Sequence, residues 1–343
     1  MSTTAAVVVY GATGHTGRFV VAELHRRGIA TVISGRNAAQ LEALAAEWPD
    51  VVVRPAAVDD ASSLDRALDG AAAVINCAGP FAVTGGPVVE AALRAGIPYV
   101  DVAAEIEANA AMFADYAEAA RKAEVPVVPA MAFFGGLGDL LVTAAMGEWT
   151  AAEVAHVAYG LTSWRPTAGT RAAGQVSHER RGGRRVRFVD GALRYHDDKA
   201  SEQDWLFPEP LGRRTVISEF TMADVVTIPS HLDVSEVRNH MAVEAARDLA
   251  EQDTPAPEAV DALGRSDQMF VVDVLVRAGG VERRATAHGQ DIYAVTAPLA
   301  VEAVQRILAG HTRTAGVASA GAMFDAADFL RSLAPYVSVE LPH

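Results

Sequence analysis

The chain has 343 residues, half of them hydrophobic and 21 % charged, with 29 Lys and Arg against 43 Asp and Glu for a formal charge of −14. That length suits one large or two ordinary domains, and the acidic balance argues against nucleic acid or an anionic membrane surface as a partner. The single cysteine, Cys77, excludes an intramolecular disulfide and a thiolate metal cluster, so no metal is expected. No basic region precedes the first apolar run, and a cytoplasmic location is the expectation.

Between residues 5 and 130, short continuous apolar runs alternate with helical spacing. AAVVVY, TVIS, VVVRP, AAVINCAG, PYVDVA and VPVVPA read as strands buried on both faces. Helices are expected near 37–48, 62–69, 86–96 and 108–124, with stops at Gly28, Gly70 and Gly96. This alternation predicts an α/β fold, a Rossmann-type, doubly wound parallel sheet with right-handed crossovers. Residues 125–147 are long enough to span a bilayer. Pro126, Pro129, Gly135-Gly136 and Asp139 interrupt them, so a buried strand followed by a buried helix is expected.

Past residue 150 the rhythm changes. EVAHVAYGL, RRVRFVDGALRY, RRTVIS, MFVVDVLVRA and VERRATAHG predict a mostly antiparallel sheet in an inserted α+β substrate domain. Gly182-Gly183 and Gly279-Gly280 read as hairpin turns, and 196–214, with three acids and two prolines, as an exposed loop. A helix is expected over 297–309, with Thr296 as N-cap and Pro298 in its first turn. Helical MFDAADFLRSL and strand-like YVSVEL follow. The expected division is a dinucleotide-binding domain at 1–130, completed by about 310–343, and a substrate and dimerisation domain at 131–309. An open edge of the second sheet suggests a homodimer.

The stretch VVVYGATGHTGRFVV places Gly11, Gly14 and Gly17 where the first strand enters the first helix. Glycines there let the backbone turn tightly and approach a pyrophosphate, which the helix N-terminus attracts. Gly11, Thr13, Gly14, His15, Thr16 and Gly17 are therefore the expected phosphate cradle. At the end of the second strand, ISGRN carries Arg36 and no acid, which favours the 2′-phosphate of NADP(H) over the bare ribose of NAD. Asn76, Cys77, Gly79 and Pro80 lie at another strand's carboxyl end, beside the expected cofactor, with Cys77 read as a buried structural thiol.

Asp101 and Glu105 follow the fifth strand, and either one orients a substrate amine or relays a proton, or both are solvated loop acids; Glu105 is taken as the catalytic candidate. Thr167, Arg171, Gln175 and His178 share one face of an expected helix. That face is either the wet side of the helix or a cleft wall, where Arg171 would hold an anionic group and His178 would act as an acid. ERRGGRRVR, 179–187, reads as a solvated hairpin tip or as a dock for an anionic carrier. Tyr293 is expected to pack between the domains.

The segments GATGHTGRFV, SGRN and INCAGPF…GGPVVEAALRAGIPYVDVAAE resemble the N-terminal half of saccharopine-dehydrogenase-like NADP-binding oxidoreductases, over residues 5 to about 145. The resemblance implies NADP(H) as cofactor and a nicotinamide ring beside Asn76, Cys77, Ala78, Gly79 and Pro80. It also implies a chain that closes back onto the first domain near its C-terminus. The implied reaction is hydride transfer to or from a C=N bond of a small molecule bound between the domains, with C=C and C=O open. The family often has GFDSIPSDLG where this chain reads AMAFFGGLGDLL, without that acid and serine. The first 40 residues also resemble NmrA-like proteins, which bind the dinucleotide without turnover, so a non-catalytic NADP(H)-binding sensor is the alternative. HExxH, paired CxxC, GxSxG and a Lys-Ser/Thr ending to the glycine turn are all absent, which removes zinc hydrolysis, serine acyl transfer and triphosphate-loop chemistry.

Overall fold

The structure, a computed structural model, describes residues 6–342. Its first half is the expected alternation: β1 (Val7–Tyr10), α1 (His15–Arg26), β2 (Thr31–Ser34), α2 (Ala38–Ala45), β3 (Val52–Val53), α3 (Ala61–Leu68), β4 (Ala73–Asn76), α4 (Phe81–Ala95), β5 (Tyr99–Asp101), α5 (Ile106–Asp115), α6 (Ala117–Ala123) and β6 (Val127–Val128). The strands form one parallel sheet in the order β3-β2-β1-β4-β5-β6. Every residue of β1, β2 and β4 is buried, because helices cover both faces, and this is why those strands read as unbroken apolar runs. The order reverses between β1 and β4, so a crevice opens at their carboxyl ends.

A turn at Phe133–Leu137 leads into α7 (Gly138–Met146). The second sheet then begins: β7 (Ala151–Leu161), α8 (Ala168–Arg180), β8 (Arg185–Val189), β9 (Ala192–His196), β10 (Glu202–Leu206), β11 (Arg213–Ser218), α9 (Asp224–Thr227), β12 (Asp233–Ala242), α10 (Val243–Ala250), β13 (Met269–Ala278) and β14 (Val281–Gln290). The chain ends with α11 (Thr296–Leu308), α12 (Ala320–Met323), α13 (Ala326–Ser332) and β15 (Val337–Glu340). The sheet is mixed, in the order β10-β11-β12-β7-β13-β14-β15, with β8 pairing β12 and β9 pairing β8. Its neighbours are antiparallel except β12 and β7, which run parallel.

The structure corrects several expectations. Residues 196–214 are not a loop throughout, since they include β10 and the start of β11. Gly182-Gly183 is not a hairpin turn; it follows the C-cap of α8, where the Gly183 N–H donates to the His178 carbonyl at 2.9 Å. The hairpin lies one segment later, at Asp190-Gly191, so RRVRFVDGALRY is two strands rather than one. Thr296 begins α11 but does not cap it: its hydroxyl accepts the Phe133 N–H at 3.2 Å and donates to the Ile292 carbonyl. The Gly279-Gly280 hairpin is present, with Ala278 opposite Val281.

The C-terminal segments bind the two sheets together. α11 lies along α1, where Arg27 pairs with Glu302 at 2.6 Å. Residues 316–318 run parallel to Val127 at the edge of the first sheet. β15 instead completes the second sheet beside β14. Beneath that sheet, Asp224 accepts from the Tyr159 hydroxyl at 2.8 Å and from Asn239 Nδ2 at 2.8 Å. All three are buried, and a side chain at Gly138 would meet Asp224 Oδ1 at 2.1 Å. Among the described residues no helix is long and apolar enough to cross a membrane.

Candidate functional site

The crevice at the carboxyl ends of β1 and β4 is built from the glycine turn outward. Gly11 leaves β1 at φ +83°, and a Cβ there would lie 2.7 Å from the Ala78 backbone nitrogen. A Cβ on Gly17 would lie 2.2 Å from the Gly11 carbonyl oxygen. The turn is therefore as tight as a backbone permits, and only glycine fits at both ends. Gly14 occupies the N-cap of α1 without a side-chain cap, which leaves the first amides of the helix open to an anion. Thr13 and Thr16 flank it, partly buried. His15 packs edge-on against Phe19 and Tyr293, with ring centroids 5.3 and 5.1 Å apart, and its shielded Nε2 has no partner among the described residues.

Arg36 stands exposed just past the end of β2, with no acidic partner within ion-pair distance among the described residues. Gly35 passes 3.9 Å, measured from an added Cβ, from the Gly11 nitrogen, so the Arg36 loop and the glycine turn are adjacent.

On the other side of the crevice, Asn76 is fully buried at the end of β4. Its Oδ1 accepts the Ala78 N–H at 3.0 Å, and its Nδ2 donates to the Tyr99 hydroxyl at 3.2 Å. Tyr99 donates in turn to Asp101 Oδ2 at 2.9 Å, and Asp101 Oδ1 accepts the Ala103 and Ala130 amides. One buried polar chain thus fixes the carboxyl ends of β4, β5 and β6. Burial raises the Asp101 pKa, while its two amide donors and Tyr99 oppose that rise. Cys77 is partly rather than fully buried, and desolvation together with the nearby Asp101 charge pushes its pKa up, which keeps the thiol inert.

The three candidate catalytic side chains take other places. Glu105 is buried and spans the start of α4, accepting the Phe81 N–H at 2.6 Å with one oxygen and the Ala82 N–H at 3.0 Å with the other. Burial raises its pKa against those two hydrogen bonds. Arg171 turns away from the crevice: its Nη2 donates to the carbonyls of Glu251 and Thr254 at 2.9 and 3.2 Å. His178 is exposed on α8. The face that α8 turns to the first domain is Ala173, Ser177 and Arg180, not the expected stripe, and Thr170 faces Tyr293 within the second domain. Thr170 meets Tyr293, Ala173 sits 3.9 Å from the Cβ position of Gly79, Ser177 donates to Glu107 Oε2, and Arg180 donates to the Ala82 carbonyl. Gln175, on the expected stripe, pairs with exposed Glu179.

α8 therefore roofs the loop 79–82. Trp164 and Tyr293 form the join beside it, the Tyr293 hydroxyl lying 3.3 Å from Trp164 Nε1 and from the Thr167 nitrogen and 3.0 Å from Thr170 Oγ1. The sequence signal for this join is the aromatic in GQDIYAVTA, whose partners Trp164, Thr167, Thr170 and His15 come from distant segments.

The residues present fit a phosphorylated dinucleotide, with an uncapped helix start, an orphaned imidazole nitrogen beside it, and an unpaired guanidinium at the end of β2. Residues 7–129 match the family described as Saccharopine dehydrogenase NADP binding domain. This segment is an NADP-binding domain of the saccharopine dehydrogenase type. The similarity extends to a saccharopine dehydrogenase-like oxidoreductase of Mus musculus, 29 % identical over 152 residues, which is 39 % of this chain and 35 % of that protein. A lipid droplet localized protein of Caenorhabditis elegans is 32 % identical over 136 residues, 36 % of this chain and 32 % of its own. The matched region spans about a third of the length of these relatives. Apo saccharopine dehydrogenase (L-Glu forming) of Saccharomyces cerevisiae shares the fold over 99 % of this chain and 100 % of its own, with a TM-score of 0.68 at 12 % identity. Within the matched segment, the glycine turn lies against Gly35, next to Arg36, on one side and against Ala78 of the Asn76–Pro80 loop on the other.

Proposed function

We propose that the protein is an NADP(H)-dependent oxidoreductase that moves a hydride to or from a C=N, C=C or C=O carbon of a small molecule. The observation that supports this reading is the placement of α8 from the second domain across loop 79–82 of the NADP-binding domain, which sets second-domain side chains beside the proposed cofactor site. Residues 1–130 hold the dinucleotide in this reading, and 131–309 supply the substrate's surroundings. The amides opening α1 hold the pyrophosphate, Arg36 forks onto the 2′-phosphate, and Asn76 and Glu105 fix the loop that faces the ring. The nicotinamide, when bound, supplies or accepts the hydride. The protein contributes orientation and exclusion of water.

A second reading, a non-catalytic NADP(H) sensor, is favoured by one observation: the polar atoms of Arg171 and Glu105 are engaged by backbone groups. Both readings require cofactor binding, and turnover separates them. The test is NADPH consumption, followed at its nicotinamide absorbance, across panels of imines, enones and carbonyl compounds. Oxidation with any panel member above the substrate-free rate carries the enzyme reading. Tight NADPH binding with no oxidation across all panels carries the sensor.

A further inference from the structure

α8 is held from two sides. Its first turn belongs to the second domain: the Thr170 hydroxyl lies 3.0 Å from that of Tyr293, and Arg171 donates to the Glu251 and Thr254 carbonyls. Its later turns rest on the first domain. Ala173 lies over Gly79, the Ser177 hydroxyl donates to Glu107 of α5 at 2.7 Å, and Arg180 donates to the Ala82 carbonyl at 2.9 Å. Arg181 Nη1 donates to the same Ser177 oxygen at 2.8 Å, so α5, α8 and the chain beyond it meet at one hydroxyl. α8 buries Ser177 and leaves its other residues half-buried or exposed, so few apolar contacts hold it down.

The space under the helix is closed. Ala173 Cβ lies 3.9 Å from the place a Gly79 Cβ would take, hence no more than about 5.4 Å from Gly79 Cα. A flat ring between two carbon surfaces needs about 7 Å, two contacts of about 3.5 Å each. Gly174 stands where the second-domain contacts of α8 give way to the first-domain ones. A Cβ there would meet no atom within 4 Å, and its backbone is not left-handed, so neither packing nor conformation calls for glycine. Glycine inside a helix lowers its stability relative to alanine.

We propose that α8 is a lid over loop 79–82, latched shut through Ser177 and Arg180 and yielding at Gly174, which lifts before a ring can lie on Gly79. The proposal rests on the reading of loop 79–82 as the neighbour of the nicotinamide and adds the motion that admits it. The latch is polar and local, so the closed state breaks by losing two hydrogen bonds rather than by opening a hydrophobic core. The first turn of α8 stays with the second domain through Thr170 and Arg171, which makes Gly174 the place where the helix bends.

The test combines backbone amide exchange across 168–180 with association rates of two ligands on the immobilised protein, for wild type, Gly174→Ala and Ser177→Ala. The ligands are NADPH and 2′-phospho-ADP-ribose, which keeps the phosphates and lacks the nicotinamide. In wild type, α8 is expected to exchange about tenfold faster than α4. Gly174→Ala is expected to slow that exchange and NADPH association about fivefold, the factor that corresponds to the helix preference of alanine over glycine. Ser177→Ala breaks the latch and is expected to speed both about fivefold. Association of 2′-phospho-ADP-ribose is expected to stay within about twofold of wild type in both variants, a split between ligands that a change in helix stability alone does not produce. Gly174→Ala touches no other residue, so it carries the test even where thermal unfolding shows Ser177→Ala to be destabilised. Equal shifts for the two ligands overturn the lid, as do NADPH rates unchanged by Gly174→Ala or an α8 that exchanges as slowly as α4. Wild type binding neither ligand overturns the NADP reading instead, and amide exchange still decides whether α8 opens.

Discussion

Gly11 and Ala78 meet backbone to backbone, with 2.7 Å between the Ala78 nitrogen and the place where a Gly11 side chain would start. The contact joins the glycine turn to the Asn76–Pro80 loop, which the proposed function sets beside the nicotinamide, so the two share one wall. Gly11→Ala must both hold an alanine at φ +83° and displace Ala78. Strain of about 1–3 kcal/mol is expected, together with a loss of NADPH affinity of at least tenfold. Thermal unfolding and coenzyme titration check the two effects. Unchanged affinity would separate this wall from the cofactor.

Arg36 tests the choice between the two nicotinamide coenzymes. It is exposed and has no acidic partner among the described residues, so its removal breaks no ion pair there. A charge-assisted fork onto phosphate is worth about 1.5–3 kcal/mol, or about 10- to 100-fold in affinity. Arg36→Ala is expected to weaken NADPH by that factor and NADH by less than about twofold. Titration of both coenzymes decides the matter. Equal losses would remove phosphate recognition from this residue.

The NADP-binding domain was legible because its central strands β1, β2 and β4 are buried on both faces, so that burial shows as uninterrupted apolar sequence. The second sheet was less so. β12, which joins β7 and β11, passed unseen because Asp233, Ser235, Glu236, Arg238, Asn239 and His240 break its pattern. Two of those polar residues are nonetheless buried: Asn239 bonds Asp224, and His240 lies 3.0 Å from His156. Partners that satisfy a buried polar group come from distant segments, and local pattern does not announce them. Arg171 and His178 show the same limit. Their spacing put them on one helical face, but spacing does not say which face meets the neighbouring domain, and the Ala173–Ser177–Arg180 face does.

Asp224 gives the core beneath the second sheet a pH signature. Burial, only partly offset by hydrogen bonds from Tyr159 and Asn239, raises its pKa to about 6 from an ordinary value of 3.8. A carboxyl with a raised folded pKa favours the fold when protonated, so its contribution is full below the ordinary value and is lost as pH rises through about 6. The difference amounts to about 3 kcal/mol. His240 and His156 pull the other way, since burial lowers them to about 3 and about 4, and protonating them below their ordinary 6.5 opposes folding. A comparison of wild type with Asp224→Asn isolates the first effect. The stability of wild type relative to the variant, from denaturant midpoints between pH 4 and pH 7.5, is expected to fall as pH rises. Parallel curves would place the Asp224 charge in a better-solvated setting.

Glu105 separates a structural carboxylate from a catalytic one. Both of its oxygens accept amides at the start of α4, the arrangement of a helix cap contributed from outside the helix. Glu105→Gln keeps one acceptor oxygen and leaves the other amide facing a donor. Stability is expected to fall by about 1–3 kcal/mol, the cost of an unmet buried hydrogen bond. Because the carboxylate holds loop 81–82 and offers no oxygen to a substrate, turnover measured with a substrate found in the NADPH screen is expected to change less than about threefold, against the 100- to 10,000-fold that loss of a general acid or base brings. The pH profile of the variant is expected to keep the shape of wild type. A drop of two orders of magnitude with an unshifted unfolding temperature would assign the proton transfer to Glu105 and displace the capping role argued from its geometry.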